Sequence, residues 1–405
     1  MNVLVTGAKG FVGRNLCEAL KAIRDGKDNR ERFQVLLPLE IMECDIETTA
    51  EELDTMCARA DFVFNLAGVN RPDDPAEFMA GNFGFASDLL AALERHNNTC
   101  PVMLSSSVQA SLVGRYAGSV YGESKLAGEG LFREYSKRTG APVLIYRFPN
   151  LYGKWCRPHY NSAIATFCDA IANGGEYVVN DPTVELELLY VDDLISEMIS
   201  ALLGEEHRCD YDGLVEIEGD GFCVCHPTDH ATVGELVSLL ESFKGSREDL
   251  MVADLTEGSL SKKLWSTFES YHTEGSRSYS LRTNRDDRGS FTEFLRTPER
   301  GQVSVNVSKP GVIKGNHWHS SKWERFLVVS GEASIRMRRV GVDVGGELFP
   351  VDEYRVSGDD PVVVDMAPGT THCIENLSTT ENLVTVMWAN EPFDPDNPDT
   401  FFEEV

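Results

Sequence analysis

Three side chains in the first third of the chain have the types and spacing of an acid catalyst for carbonyl chemistry. Tyr121 and Lys125 are four residues apart, and Ser107 ends a serine run 14 residues before the tyrosine. Side chains four residues apart are neighbours on a helix, so we expect the lysine ammonium to lie beside the phenol and to lower its pKa. The pattern therefore predicts that Tyr121 donates a proton to a carbonyl oxygen that the Ser107 hydroxyl also hydrogen-bonds.

Four residues near the C-terminal end have the types of a divalent-metal site. His317 and His319 point to one face if they lie on a strand. Glu324 and His372 can complete a set of three imidazoles and one carboxylate, which suits Zn²⁺, Fe²⁺, Ni²⁺ or Mn²⁺. Beside a ketone, such an ion would stabilise the enolate formed when the adjacent carbon loses a proton. The candidate bases for that proton are Lys314, Lys322 and Tyr354.

A glycine-rich turn near the N-terminus predicts a dinucleotide site. The segment 6–13, TGAKGFVG, follows a short apolar run and precedes a helical pattern. Glycines at such a turn let the backbone approach a pyrophosphate, which then sits on the helix N-terminus. The G-x-x-G-x-x-G spacing resembles the short-chain dehydrogenase/reductase superfamily. The glycine segment contributes Gly7, Lys9, Gly10, Phe11, Val12, Gly13 and Arg14 to the predicted cofactor site.

The same resemblance implies further cofactor contacts outside the glycine segment. Asp45 and Ile46 follow a predicted third strand, where members of the superfamily contact adenine. The segment 65–68, NLAG, ends the next strand and matches an element beside the cofactor. The contacts expected in this group are Asp45, Ile46, Leu66, Ala67, Gly68, Tyr121 and Lys125.

Three charged residues bear on the choice between NAD and NADP. Lys9 and Arg14 flank the glycines and could pair with a 2′-phosphate. Glu40, near the end of the second strand region, could instead hold a ribose hydroxyl. We expect NADPH, with NADH as the alternative.

The segment 147–153, RFPNLYG, resembles one that extended members of the superfamily place against a nucleotide-sugar. Cationic side chains follow it and suit a diphosphate. The predicted substrate-binding residues are Arg147, Asn150, Lys154, Arg157 and His159.

The residues after the serine run bear on the type of reaction. Sugar-nucleotide dehydratases of the superfamily place an acidic pair after the catalytic serine or threonine, whereas Val108 and Gln109 follow Ser107. Dehydration is therefore disfavoured, which leaves reduction or epimerisation.

The pattern around these motifs predicts two domains of different class. Short apolar runs at 3–5, 62–64, 102–104 and 143–146 alternate with helical patterns, which implies a parallel sheet covered on both faces. From about Ser290, short β-type segments separated by Gly, Pro and Asp predict an antiparallel sandwich or small barrel. We predict a Rossmann-type, doubly wound α/β domain over 1–275 and an all-β domain over 276–405.

Composition excludes several classes of partner. The chain has 37 Lys and Arg against 65 Asp and Glu, a formal charge of −28. A surface this acidic repels phosphate backbones, so nucleic-acid binding is disfavoured. No apolar run approaches the roughly 18 residues that span a bilayer, and the first residues lack the pattern of a secretion signal. We expect a cytoplasmic protein with no membrane span.

The histidines also fit a family pattern. Gly311, His317, His319, Glu324 and Gly331 match the first cupin motif at every fixed position. In the second segment, Gly369, His372 and Asn376 keep the spacing of the second motif. The all-β domain is therefore expected to be a metal-binding cupin barrel.

Taken together, the segments 147–161, 288–388 and 393–400 resemble the CapF family of bifunctional capsular polysaccharide enzymes. The resemblance implies that the cupin, holding zinc, epimerises C3 of UDP-2-acetamido-2,6-dideoxy-4-hexulose. The N-terminal domain would then reduce C4 with NADPH to UDP-2-acetamido-2,6-dideoxy-L-talose, a precursor of N-acetyl-L-fucosamine. It also implies a homodimer.

Three alternatives stay open at this point. The substrate could be a dTDP-linked 4-keto-6-deoxyhexose, handled by the same two activities. The chain could be a sensor that binds NADP(H) without catalysis and uses the cupin as a binding module, although the intact Ser107, Tyr121 and Lys125 argue against this. The cupin could also hold Fe²⁺ and oxidise its ligand.

Overall fold

A computed structural model describes residues 1–70, 74, 76–211 and 216–405. The chain divides into two compact units. The first comprises residues 1–240 and 263–272, and the second comprises 241–262 and 273–405. The predicted boundary after residue 275 lies close to the last crossing between the units, at residues 272 and 273. Segment 241–262, which lies inside the predicted N-terminal domain, belongs to the second unit.

The part of the chain up to residue 272 contains a large parallel sheet and its helices. In chain order the elements are β1 (Asn2–Thr6), α1 (Phe11–Arg24), β2 (Glu40–Cys44), α2 (Ala50–Arg59), β3 (Phe62–Asn65), α3 (Ala76–Met79), α4 (Phe85–Arg95), β4 (Val102–Ser107), α5 (Val120–Thr139), β5 (Val143–Phe148), β6 (Asn150–Tyr152), α6 (Ala163–Asn173), β7 (Glu185–Tyr190), α7 (Val191–Leu202), β8 (Arg208–Tyr211), β9 (Glu216–Cys223), β10 (Asp229–Thr232), α8 (Val233–Asp249) and α9 (Leu260–Glu269).

The main sheet has the strand order β2-β1-β3-β4-β5-β9-β8, and only β8 runs antiparallel to its neighbour. Helices α1 and α7 pack on one face through Leu16, Leu20 and Met198. Helices α4 and α5 pack on the other through residues such as Leu89 and Phe132. The predicted doubly wound fold is therefore confirmed. The strand order reverses between β1 and β3, and ligands of such sheets bind at the carboxyl ends of the strands there.

Local sequence explains where the key helices begin and end. In α1, Leu16, Leu20 and Ile23 recur at helical spacing and are all buried, which fixes the face that packs on the sheet. Helix α5 begins after Ser119, whose hydroxyl accepts a hydrogen bond from the Gly122 amide at 3.0 Å. The helix is thereby fixed at the end that carries the tyrosine and lysine.

The second unit contains two antiparallel sheets. Its strands are β11 (Thr283–Asp286), β12 (Gly289–Thr297), β13 (Gly301–Ser308), β14 (Ile313–Trp318), β15 (Glu324–Ser330), β16 (Glu332–Arg339), β17 (Val351–Ser357), β18 (Val363–Met366), β19 (Thr370–Asn376), β20 (Leu383–Ala389) and β21 (Phe401–Phe402). The sheet orders are β11-β12-β13-β20-β15-β18 and β17-β16-β19-β14-β21. Buried side chains of both sheets, among them Phe326, Ile335 and Ile374, form one core. The predicted all-β class is confirmed.

Within the described residues, no helix combines the length and apolar character that a membrane crossing requires.

Candidate functional site

The glycine turn joins β1 to α1 at the carboxyl edge of the sheet. Gly7 has φ +65°, and a Cβ added to Gly13 would lie 2.1 Å from the Gly7 carbonyl oxygen, so only glycine permits this close packing. Helix α1 starts after Gly10, and among the described residues no side chain caps its first amides and its first turn carries no acidic residue. Free backbone N–H groups at this helix end fit a pyrophosphate.

The segment after β3 lies against this turn. The Thr6 hydroxyl donates to the Asn65 side-chain oxygen at 2.9 Å and accepts from the Ala67 amide at 3.1 Å. A Cβ on Gly7 would lie 2.9 Å from the Ala67 nitrogen. The predicted cofactor contacts from Leu66 to Gly68 are therefore held next to the glycine turn.

Ser107, Tyr121 and Lys125 come together at the end of β4 and the start of α5. The Lys125 ammonium donates to the Ser105 carbonyl at 3.0 Å and lies 5.7 Å from the Tyr121 ring centre. Burial raises the pKa of Tyr121 to about 12, and a hydrogen bond with Ser107 acts in the opposite direction. The sequence-based expectation of a lowered phenol pKa is therefore wrong for this structure, because burial outweighs the hydrogen bond with Ser107. The phenol is thus protonated at neutral pH and available as a proton donor.

Asn82 belongs to the same site and has no recognisable sequence signal. Its side chain accepts from the Val69 amide at 3.0 Å, donates to the Val69 carbonyl at 3.1 Å and donates to the Ser124 hydroxyl at 3.0 Å. A Cβ on Gly68 would lie 2.7 Å from the Asn82 oxygen and 3.2 Å from the Lys125 nitrogen. Asn82 therefore fixes the loop beside the lysine. A π-helical turn presents it, and no local spacing rule marks such a turn.

The structure gives Arg147 a different role from the predicted contact with substrate. Its side chain is 9% exposed and pairs with the buried Glu129 through two hydrogen bonds, at 2.9 and 2.8 Å. The Ser106 hydroxyl donates to the same carboxylate at 2.5 Å. Glu129 lies one helical turn after Lys125 on α5, so its buried ion pair with Arg147 anchors this helix to β5. A guanidinium enclosed in this way is not available to a diphosphate.

The other predicted substrate residues lie on the surface near β6 and the following loop. Lys154 pairs with Asp192, and Asn150 donates to the Glu187 carbonyl at 2.9 Å. The Arg157 guanidinium lies over the Tyr160 ring, and the His159 side chain is largely exposed. These four stay predictions as substrate contacts.

A pH prediction follows from the environment of Lys125. Burial lowers its pKa to about 8, and the nearby Glu129 opposes the shift. The amine is charged below this value and neutral above it, so its positive charge is lost as the pH rises. We expect kcat/KM for reduction, which reports the free enzyme, to fall roughly tenfold per pH unit above about 8. A pH profile at constant ionic strength that stays flat to high pH would contradict the assignment.

The four predicted metal ligands form a cluster in the second unit. The ligand atoms of His317, His319, Glu324 and His372 lie within 4.8 Å of one another. Strand register explains part of this proximity, because His317 of β14 and His372 of β19 are directly opposite each other in the sheet. The His319 and His372 Nε2 atoms lie 3.6 and 3.3 Å from one Glu324 oxygen.

Polar atoms of this cluster are buried without hydrogen-bond partners among the described residues: His319 Nε2, His372 Nε2 and Glu324 Oε2. Burial lowers the pKa of His317 to about 4, so this imidazole is neutral at physiological pH. Burial raises the pKa of Glu324, but the His319 and His372 imidazoles close to it outweigh burial and hold that pKa far below its usual range. Converging unpartnered donor atoms of these types fit a divalent transition metal.

A segment from the end of the chain holds one of these ligands. The His319 Nδ1 atom lies 2.5 Å from the Asp399 carbonyl oxygen, which turns Nε2 toward the cluster. The Asp399 carboxylate accepts from the amides of Ser320, Ser321 and Lys322 at 2.8, 2.9 and 2.9 Å. These bonds hold the pKa of Asp399 well below its usual range, against the effect of burial.

Removal of this carboxylate should weaken metal binding. In Asp399→Ala the three amides lose their acceptor, so the carbonyl that orients His319 loses its fixed position. We expect a loss of roughly 10- to 100-fold in Zn²⁺ affinity, measured by competition with a chromophoric chelator. Asp396→Ala, an exposed acidic position in the same segment, is the matched control and should bind normally. Equal affinities in both variants would show that the segment does not support the site.

A cavity of about 400 Å³ opens onto the cluster. Its lining includes His317, His372, Lys314 and Phe326. Of the three predicted bases only Lys314 lines this cavity. Lys322 instead donates to the Pro398 carbonyl at 2.9 Å, and Tyr354 is 42% exposed on a different strand.

The sheet edge and the three side chains beside it fit the class of nicotinamide-dependent oxidoreductases, and the chain also carries an all-β domain with a candidate metal centre. Residues 3–210 match the model of the NAD dependent epimerase/dehydratase family, and residues 284–401 match that of the polysaccharide biosynthesis C-terminal domain.

Relatives extend this match over the whole chain. A UDP-2-acetamido-2,6-beta-L-arabino-hexul-4-ose reductase of Pseudomonas aeruginosa is 37% identical over 99% of this chain and 98% of its own. The crystal structure of the capsular polysaccharide assembling protein CapF from Staphylococcus aureus has a TM-score of 0.85 and 46% identity, with both chains fully covered. A structure of CapF with the inhibitor 3-isopropenyl-tropolone has a TM-score of 0.81, with 43% identity and full coverage of both chains. The chain therefore belongs to the NAD dependent epimerase/dehydratase family and, within it, to the CapF family.

Proposed function

We propose that the chain is a bifunctional enzyme of capsular or surface polysaccharide synthesis whose substrate is UDP-2-acetamido-2,6-dideoxy-4-hexulose. The all-β domain, a cupin, epimerises C3. The N-terminal domain then reduces the C4 ketone to give UDP-2-acetamido-2,6-dideoxy-L-talose, the precursor of N-acetyl-L-fucosamine. The observation that carries the proposal is the presence, in one chain, of the Ser107, Tyr121 and Lys125 site, in which Ser107 and Lys125 are buried, and of four converging metal-ligand side chains. The Pseudomonas relative named as a hexulose reductase supports the substrate class.

The reductase half is assigned to three side chains of this chain. A bound reduced nicotinamide supplies the hydride. Tyr121 holds a proton at its hydroxyl oxygen and delivers it to the C4 oxygen, because burial keeps the phenol protonated. Ser107 orients that oxygen by a hydrogen bond. The Lys125 ammonium, 5.7 Å from the Tyr121 ring centre, provides positive charge beside the tyrosine.

The epimerase half is assigned to the cavity in the second unit. A divalent cation, for which we propose Zn²⁺, supplies positive charge next to a carbonyl oxygen when bound to the four ligands. Lys314 is our candidate for the group that moves the C3 proton, since it lines the same cavity as His317. Its ammonium donates to the Asn306 side chain at 2.7 Å and to the Val307 carbonyl at 3.0 Å, and burial lowers its pKa.

Substrate trials separate the proposal from its alternatives. The holoenzyme is incubated with a reduced cofactor and either the UDP-linked amino sugar or a dTDP-linked 4-keto-6-deoxyhexose, and the products are identified by NMR. Turnover of the UDP sugar alone supports the proposal, and preferential turnover of the dTDP sugar contradicts it. A sensor would turn over neither, and an iron oxidase would consume oxygen. The homodimer and the cytoplasmic location remain part of the proposal.

A further inference from the structure

Asp45 and Ile46 were expected to follow the third strand, but in the structure they follow the second strand, β2. Residues 31–36 form a short 3₁₀ helix, and the second strand of the chain, β2, begins at Glu40 rather than ending near it. Asp45 directly follows β2. Cys44, the last residue of β2, pairs with Thr6, the last residue of β1. Glu40, which was expected near the carboxyl end, pairs with Asn2 at the opposite edge and bonds Arg59 at 2.5 Å. Glu40 is therefore not a ribose ligand.

Asp45 instead lies at the glycine turn. Its carboxylate accepts from the Lys9 amide at 2.6 Å and from the Ile46 amide at 2.8 Å. In sheets of this type, a carboxylate after the second strand hydrogen-bonds the adenosine ribose hydroxyls of NAD. Ile46 is 94% exposed, which leaves an apolar side chain free to cover an adenine ring. Both features fit the adenosine half of a dinucleotide.

The lysines of this edge are paired with carboxylates, and its arginine stacks on an aromatic ring. The Lys9 ammonium pairs with Glu47, and Lys21 pairs with Glu18 and with Glu43, at 3.0 and 2.9 Å. The Arg14 guanidinium stacks on the Trp155 ring at 4.4 Å. A 2′-phosphate would therefore add negative charge beside a carboxylate whose neighbouring lysines are neutralised.

We infer that Asp45 holds the adenosine ribose and makes the chain prefer NADH to NADPH. The inference rests on the proposed dinucleotide site and reverses the cofactor expected from Lys9 and Arg14. The carboxylate favours NADH by accepting hydrogen bonds from ribose hydroxyls, and it opposes NADPH by charge repulsion. Asp45 is thus a specificity-determining residue.

Equilibrium binding to the full-length protein tests this without turnover. NADH and NADPH are titrated at one ionic strength, with nicotinamide fluorescence as the readout, because salt screens the repulsion. We expect the wild type to bind NADH at least tenfold more tightly. In Asp45→Asn the amide oxygen can still accept from Lys9, but the charge is gone, so NADH binding should weaken and NADPH binding should tighten until the preference is lost. Glu40→Gln removes one charge from the other end of the same strand and should leave the ratio unchanged.

Equal or tighter binding of NADPH by the wild type would overturn the inference, as would an unchanged ratio in Asp45→Asn. Binding of neither dinucleotide would contradict the nucleotide site itself, and the proposed function with it. If NADH binds with the expected preference but no keto sugar is reduced, the proposed function fails and the role of Asp45 stands.

Discussion

Tyr121→Phe should reduce cofactor oxidation by at least about 10³-fold while C3 proton exchange continues at the wild-type rate. The phenylalanine keeps the ring and its packing but lacks the hydroxyl that delivers the proton, and general acids contribute roughly 10² to 10⁴ in rate. Cofactor oxidation is followed by absorbance, and exchange by NMR in D₂O on the same preparation.

The control for this variant is Tyr135→Phe on the same helix. The Tyr135 hydroxyl donates to the Asn98 carbonyl at 3.2 Å and its side chain belongs to a core cluster away from the triad, so the change tests only a structural hydroxyl. It should reduce both activities equally or not at all. Loss of C3 exchange in Tyr121→Phe would refute the division of labour between the two domains.

His317→Ala should have the reverse effect. Loss of one of four ligands from a cluster whose remaining donor atoms are buried should lower metal content and reduce C3 exchange by at least about 10²-fold. Reduction of a sugar already epimerised at C3 should keep its wild-type rate. Metal content is measured by mass spectrometry and exchange by NMR.

Two further variants separate ligand loss from unfolding. Glu324→Gln retains the side-chain volume of its site, so it should reduce metal content without unfolding the β core. Lys314→Met should keep the metal but lose exchange, because Lys314 lines the cavity without being one of the four clustered ligands. Full exchange in metal-free His317→Ala would contradict the epimerase assignment.

Local spacing explains what the sequence could predict. Tyr121 and Lys125 are one helical turn apart on α5. His317 lies in the last two residues of β14 and His319 directly follows that strand, so each pair depends on local spacing alone. The strand and helix alternation likewise depends on local apolar periodicity. These features required no knowledge of distant contacts.

The features that sequence analysis missed depend on long-range pairing. Arg147 was predicted to contact the substrate. Its actual partner, Glu129, lies 18 positions earlier on α5, and local sequence does not reveal that pairing. Asp399 supports His319 across 80 positions of sequence. Asp45 was placed after a third strand because the second strand was expected to end near Glu40, whereas Glu40 is the first residue of β2. In each case the position of the residue depends on how distant parts of the chain come together in the fold, which local spacing does not predict.

The most direct test of the account is proton–deuterium exchange at C3 of the UDP-linked 4-keto sugar in D₂O, without nicotinamide, before and after chelation of the metal. We predict exchange that stops on chelation and returns when Zn²⁺ is added back. Addition of a reduced nicotinamide should then convert the exchanged sugar to the C4-reduced product. Absence of exchange with the metal bound would contradict the account and leave a 4-ketoreductase with a structural metal domain.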